Sequence, residues 1–209
     1  MGQAKYAEGF DKIVCHPECL DEPLHWKKPR KVFVCSMSDL FHPDVSDEFI
    51  FAVFDAARAV PQHFYQWLTK RAERMLEVTV AYCKARGLDK LPDNWQGMVT
   101  TENQKWADIR IPYLLQSPWA LRGVSAEPLL EDISFTHYNH YIDQVIVGGE
   151  SGPGARPMYP DWARCIRDDC VEAGVPFFFK QWGGVIKKRA GRVLEGRTWN
   201  QMPELRVPV

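Results

Sequence analysis

Nowhere does this 209-residue sequence run to the ~20 consecutive apolar residues that a membrane-spanning helix requires. Met1 to Phe10 also lacks the apolar stretch of a secretion signal, so a cytoplasmic protein is expected. Excess charge is missing too. Lys and Arg number 26 against 27 Asp and Glu, a net charge of −1, so whole-molecule attraction to nucleic acid or to an anionic membrane is not expected. Cysteine is sparse: Cys15, Cys19, Cys35, Cys83, Cys165 and Cys170 are expected as reduced thiols rather than a disulfide framework. Cys15-His16-Pro17-Glu18-Cys19 offers two thiols and an imidazole, but no second ligand pair at zinc-finger spacing follows, so no metal site is expected. No G-x-x-x-x-G-K-[ST] phosphate loop occurs. The cluster Gly148-Gly149-Glu150-Ser151-Gly152-Pro153-Gly154 fails the dinucleotide fingerprint at Pro157 and the nucleophile elbow at Pro153.

What is present has an ordinary globular balance, 45% hydrophobic and 25% charged residues. Short apolar runs alternate with amphipathic stretches. Lys31–Cys35, Phe64–Leu68, Gln96–Thr100, Ala120–Val124, Gln144–Val147 and Pro176–Phe179 read as strands buried on both faces. Ser46 caps a helix with Asp47 and Glu48 in its first turn and Ile50, Val53, Phe54 and Ala57 on one face. Residues 71–86 form a second helix, with Met75, Val78, Thr79 and Tyr82 as its stripe and Gly87 as its stop. Residues 103–116 form a third, which Pro112 is expected to interrupt. Residues 161–173 form a fourth, with Trp162, Cys165, Ile166 and Val171 inward and Gly174 closing it. This rhythm of βα units predicts one α/β domain over residues 1–209, an open doubly wound sheet or a complete or partial barrel.

Parallel α/β folds bind ligands at the carboxyl ends of their strands, where the loops converge. There the sequence places Ser36, Ser38 and Asp39 after the first strand, Lys70 and Arg71 after the second, and Glu102 and Asn103 after the third. Glu127 follows the fourth, Gly148, Gly149, Glu150 and Ser151 the fifth, and Lys180 and Gln181 the sixth. Any one of these suits a helix cap or a solvated turn, but together they predict a ligand-binding rim. The glycine turn lets backbone approach a ligand, with Arg156 as an anion clamp. Basic clusters at Lys27, Lys28, Arg30 and Lys31, and at Lys187, Lys188, Arg189, Arg192 and Arg197, suit solvated faces or anion contacts. A hydrolase or lyase using Glu102, Glu127 and Glu150 as acid and base is a further reading, with no nucleophile or metal pattern beside it.

The strings Val34-Cys35-Ser36-Met37-Ser38-Asp39-Leu40-Phe41-His42, Gln66-Trp67-Leu68-Thr69-Lys70-Arg71, Gly148-Gly149-Glu150-Ser151-Gly152 and Phe178-Phe179-Lys180-Gln181-Trp182-Gly183 resemble a phage- and prophage-associated family. So does the ending from Ala190-Gly191-Arg192 through Gly196-Arg197-Thr198-Trp199 to Met202-Pro203. Members of that family are phage proteins of unknown function with a radical S-adenosylmethionine-like partial (β/α) barrel. The resemblance implies S-adenosylmethionine and a four-iron four-sulfur cluster as cofactors, with a 5′-deoxyadenosyl radical abstracting hydrogen from a substrate. It places Ser36, Ser38 and Asp39 at the cofactor's amino-acid end and the Gly148, Gly149, Glu150 and Ser151 turn at its adenine. Lys70, Arg71, Glu102, Asn103, Glu127, Arg156, Lys180 and Gln181 then face the substrate. Met1–Tyr6 resembles the end of the helix that follows the family's three-cysteine loop, so the first βα unit and the cluster ligands are expected to be missing. Cys15 and Cys19 supply only two thiols, at another position. Radical chemistry is therefore not expected of the chain as written, and a misplaced start or a shortened relative would each explain it. An exposed sheet edge, inviting dimerisation, is the physical corollary. The alternative is a non-catalytic module binding a nucleotide or nucleic acid at the same rim.

Overall fold

A computed structural model describes residues 12–186 and 189–204; the Met1–Tyr6 segment and Lys187 and Lys188 lie outside the described residues. The six apolar runs form strands β1 (Lys31–Val34), β2 (Phe64–Thr69), β3 (Trp95–Thr100), β4 (Leu121–Ala126), β5 (Gln144–Gly148) and β6 (Phe177–Gln181). All pair in parallel and in chain order, β1 to β6. The sheet curls into a half barrel, with α1 (Asp47–Arg58), α2 (Ala72–Arg86), α3 (Gln104–Gln116) and α4 (Pro160–Ala173) alternating with the strands. Between β4 and β5 a short 3₁₀ turn, Asn139–Tyr141, stands in place of an α-helix. Sequential order follows from the connections. Each crossover returns the chain to begin another parallel strand, and a single handedness lays every new strand on the same growing edge.

Several strand ends differ from the apolar runs. Ser125 and Ala126 belong to β4, Gly148 to β5, and Lys180 and Gln181 to β6, because ladder pairing and not hydrophobicity ends a strand. Cys35 instead leaves β1, with a φ of 56° that turns the chain toward Asp39. Registered residues of parallel strands share a face. Tyr65 and Trp67 of β2 thus lie with Trp95 of β3 on the helix side, where Phe54 of α1 meets Trp67 at 4.9 Å and Trp95 at 5.3 Å between ring centroids. Gln66 and Gln96 fall on the opposite, concave face and hydrogen-bond each other at 2.8 Å.

The helices begin and end where local chemistry dictates. The Ser46 hydroxyl accepts from the Phe49 N–H at 3.3 Å, capping α1, while Gly87 and Gly174 close α2 and α4 in left-handed conformation. Two expectations are corrected. Pro112 does not interrupt α3: the helix runs through it, because proline removes one N–H donor while the buried stripe Ala107, Ile111 and Leu114 holds the helix to the sheet. In α4 the buried residues are Ala163, Ile166, Arg167 and Cys170, whereas Cys165 and Val171 face solvent. That stripe follows i, i+3, i+4 and i+7 from Ala163, a rotation from the one expected.

The two sheet edges differ. Along β6 the C-terminal segment runs antiparallel, with Phe179 N–H donating to Trp199 O at 3.0 Å and Gln201 N–H to Phe177 O at 3.2 Å. It follows a small hairpin, β7 (Val193–Leu194) and β8 (Arg197–Thr198). Among the described residues no strand pairs with the outer side of β1. No helix among them is long and apolar enough to cross a membrane.

Candidate functional site

The carboxyl ends of the strands carry four ion-paired carboxylates, one after another around the half barrel. At the β1 and β2 ends, Arg71 Nη1 donates to Asp39 Oδ2 at 2.7 Å. The same carboxylate accepts from the Thr69 hydroxyl at 2.8 Å, from Phe41 N–H at 3.0 Å and from Lys70 N–H at 3.3 Å. Asp39 is thus occupied by protein donors and ties the loop after β1 to the end of β2. Ser36 and Ser38 stand exposed beside it.

At the β3 end, Glu102 takes Lys70 on one carboxylate oxygen and Arg110 Nη1, at 2.7 Å, on the other. Arg110 comes from α3, is buried, donates also to Thr100 O at 2.7 Å, and lies 4.1 Å from the centroid of the Trp106 ring. Burial raises the Glu102 pKa, but hydrogen bonds from Lys70 and from its own backbone, with the Arg110 charge, hold the carboxyl below its usual range.

At the far side, Lys180 Nζ donates to Glu127 Oε2 at 2.8 Å, and Gln181 Nε2 reaches Glu127 Oε1, Gly149 O and Ser151 Oγ, each at 3.2 Å. This knot requires glycine. A Cβ on Gly149 would stand 2.0 Å from Trp182 O, so only a bare backbone lets the β5 and β6 loops touch. Glu150 accepts three hydrogen bonds at 2.8 Å from Arg156, which together with the Arg156 charge hold it down to about 2. Arg156 also lies within electrostatic reach of Glu102, which links the two halves of the rim.

Arg110 apart, the cation of every pair is the more exposed partner: Lys70 54% against Glu102 10%, and Lys180 51% against Glu127 20%. Each ammonium or guanidinium therefore keeps N–H donors turned outward, with a partly shielded carboxylate behind it. The arrangement can receive an anionic group and, within a few ångströms, a cationic one.

Most of the predicted rim residues are brought together, with two changes of role. Asn103 does not face the rim as a free amide: its Oδ1 accepts from Trp106 N–H at 3.0 Å and caps α3. Arg156 can meet an anion only through the donors that Glu150 leaves outward, because Glu150 takes its backbone N–H, Nε and Nη2. Sequence reading missed Arg110 and gave Thr69, already read at the strand end, no role. The signal for Arg110 was there: a guanidinium at the buried-stripe position of α3, one turn from Ala107 and Leu114. The basic cluster at Lys27, Lys28, Arg30 and Lys31 lies at the opposite, amino end of β1, with Arg30 stacked on Trp26 at 4.6 Å.

The thiols form two sets. Cys83 and Cys170 are buried within α2 and α4 and Cys165 is exposed on α4, while Cys15, Cys19 and Cys35 line one cleft beside β1, where burial pushes the Cys35 thiol up, toward its neutral form. Among the described residues no group of three or more His, Cys, Asp or Glu is placed to hold a metal ion. These residues therefore do not fit a four-iron four-sulfur cluster, which needs three thiolates.

No curated protein and no solved structure matches the chain. A family profile described as "Protein of unknown function (DUF5131)" matches residues 1–203, so the chain belongs to that family.

Proposed function

We propose that the strand-end rim binds S-adenosylmethionine, or a nucleoside-linked amino acid of the same charge pattern, and holds a second molecule beside it. The observation that carries this reading is the alternation of exposed cations and shielded carboxylates along successive strand ends. An aminocarboxylate complements that pattern, its carboxylate meeting outward N–H donors and its ammonium a carboxylate behind them. Ser36 and Ser38 would meet the amino-acid end, with Asp39 holding their loop. The Gly148, Gly149 and Ser151 backbone would approach the adenine. Glu127 would take the aminocarboxylate's ammonium, while Lys70, Arg71, Lys180 and Gln181 would face the second molecule. The likeness of these strings to a phage-associated, radical S-adenosylmethionine-like family supports the choice of ligand. S-adenosylmethionine supplies, when bound, a sulfonium-activated carbon; the described thiols do not fit the cluster that a radical step would need.

Two other readings are less well supported. A nucleic-acid module would lay a polyanion against Asp39, Glu102, Glu127 and Glu150, one at nearly every strand end. An acid–base hydrolase needs a carboxyl that keeps its proton near neutrality, yet Glu102 and Glu150 are both held below their ordinary range.

Isothermal titration of the purified chain with S-adenosylmethionine tests the proposal. Micromolar, one-to-one binding is expected, weakened at least tenfold by Glu127→Gln, about the effect of losing one charge-assisted contact. No heat and no thermal shift at millimolar ligand would overturn it. Cleavage to 5′-deoxyadenosine after reconstitution with iron and sulfide would restore the radical reading.

A further inference from the structure

A cleft of about 920 Å³ adjoins the rim, lined at one end by Asp39, Lys70 and Arg71. One wall is the outer edge of β1, unpaired among the described residues, with Val32 and Val34; a second is α1, with Phe49 and Val53; the segment from Lys12 to Trp26 forms the third. The cleft opens at Lys70 and Arg71, so it runs directly into the rim. Its lip is apolar and exposed: Ile13 and Val14, Phe33 and Met37 are each more than 40% accessible. Exposed apolar side chains gathered on one groove mark a binding surface more often than scattered ones do.

The floor gives an independent sign of a ligand. Tyr65 and Trp67, in register with Val32 and Val34, line the cleft and are 2% and 1% exposed. Among the described residues their hydroxyl and indole N–H are buried without a hydrogen-bond partner. Such a buried donor forfeits its water without replacement, which is unfavourable by about 1–3 kcal/mol. Burial lifts Tyr65 to about 12, so the phenol keeps its proton and remains a donor. An acceptor oxygen entering between β1 and α1 would satisfy these groups. At the mouth, Lys70 and Arg71 are the outward halves of their pairs and face an anionic head.

We propose that this cleft binds an acyl amphiphile, with its apolar chain along β1 and α1, an oxygen toward Tyr65 and Trp67, and an anionic head at Lys70 and Arg71. The inference extends the proposed function by naming the class of the second molecule. It rests on that reading only for the proximity of S-adenosylmethionine; the apolar walls and buried donors stand without it.

Fluorescence titration with 11-(dansylamino)undecanoate, competed by decanoate, tests it on the full chain. Saturable one-to-one binding in the micromolar range is expected. Met37→Glu and Ile13→Glu, on the exposed lip where the fold is untouched, should each weaken it at least fivefold. Tyr65→Phe should weaken it about threefold at unchanged circular dichroism. Dodecyltrimethylammonium should compete at least tenfold less well than decanoate. Equal competition by the cationic amphiphile overturns the assigned head, and binding indifferent to both lip variants overturns the site. A dimer in sedimentation that Met37→Glu dissociates would mean that a second copy covers the cleft, which also overturns it. Glu127→Gln should lower S-adenosylmethionine affinity and leave the dansyl probe unaffected. Loss of one ligand with the other retained therefore shows which reading has failed.

Discussion

At the scale of single residues, the buried pair Arg110–Glu102 is the pivot of the rim. Glu102 is 7% exposed and would be costly to ionise alone; Arg110 on one oxygen and Lys70 on the other make ionisation favourable. Arg110→Met should therefore destabilise the fold by about 3 kcal/mol, because it leaves a buried carboxylate short of a partner. The pH dependence has a definite sign. Glu102 titrates lower in the folded protein than in the unfolded chain, so its contribution is complete above the unfolded carboxyl value of about 4.3 and is lost as pH falls through the folded one. Glu102→Gln should flatten this acid limb in urea midpoints measured from neutral pH downward; an unchanged limb would place the titration elsewhere. Glu102 itself was legible in the sequence as a strand-end carboxylate. Its state was not, since the cations that fix it come from another strand end and from a helix.

At the scale of elements, caps and strand ends compete for the same residue types. Asn103 reads equally well as a ligand contact or as an N-cap, and the side-chain bond to Trp106 N–H decides for the cap. Asn103→Ala should lower stability by about 1 kcal/mol and leave S-adenosylmethionine affinity unchanged; a loss of affinity at constant thermal midpoint would return Asn103 to the site. The same ambiguity explains α4. Cys165 and Val171 look inward on hydropathy, yet Arg167 takes a buried position because Glu195 of the β7–β8 hairpin accepts its Nη1 at 2.9 Å. Hydropathy assigns faces correctly where side chains only pack, as along α2, and fails where a charge is buried with its partner.

At the scale of the whole molecule, the balanced rim and the net charge of −1 argue against a polyanion partner. Fluorescence anisotropy of a labelled oligonucleotide should show little binding even at about 50 mM salt; tight, salt-sensitive binding abolished by Lys180→Ala would instead make the rim a nucleic-acid site. The two sheet edges are also unlike. One is covered by the chain's own Trp199–Gln201 segment, whereas the other, β1, borders the cleft.

The sequence by itself determined the parallel α/β plan, the six strands, most helix limits and the polar residues at the strand ends. These depend on local periodicity, capping and glycine, which act over a few residues. Tertiary structure alone decided how those polar groups pair, which of them point outward, and that an apolar cleft opens beside them with two donors unpartnered among the described residues. Three of the five rim pairings join residues 30 or more positions apart, as in Asp39 with Arg71 or Glu127 with Lys180, and only the packing of one strand end beside another brings these together.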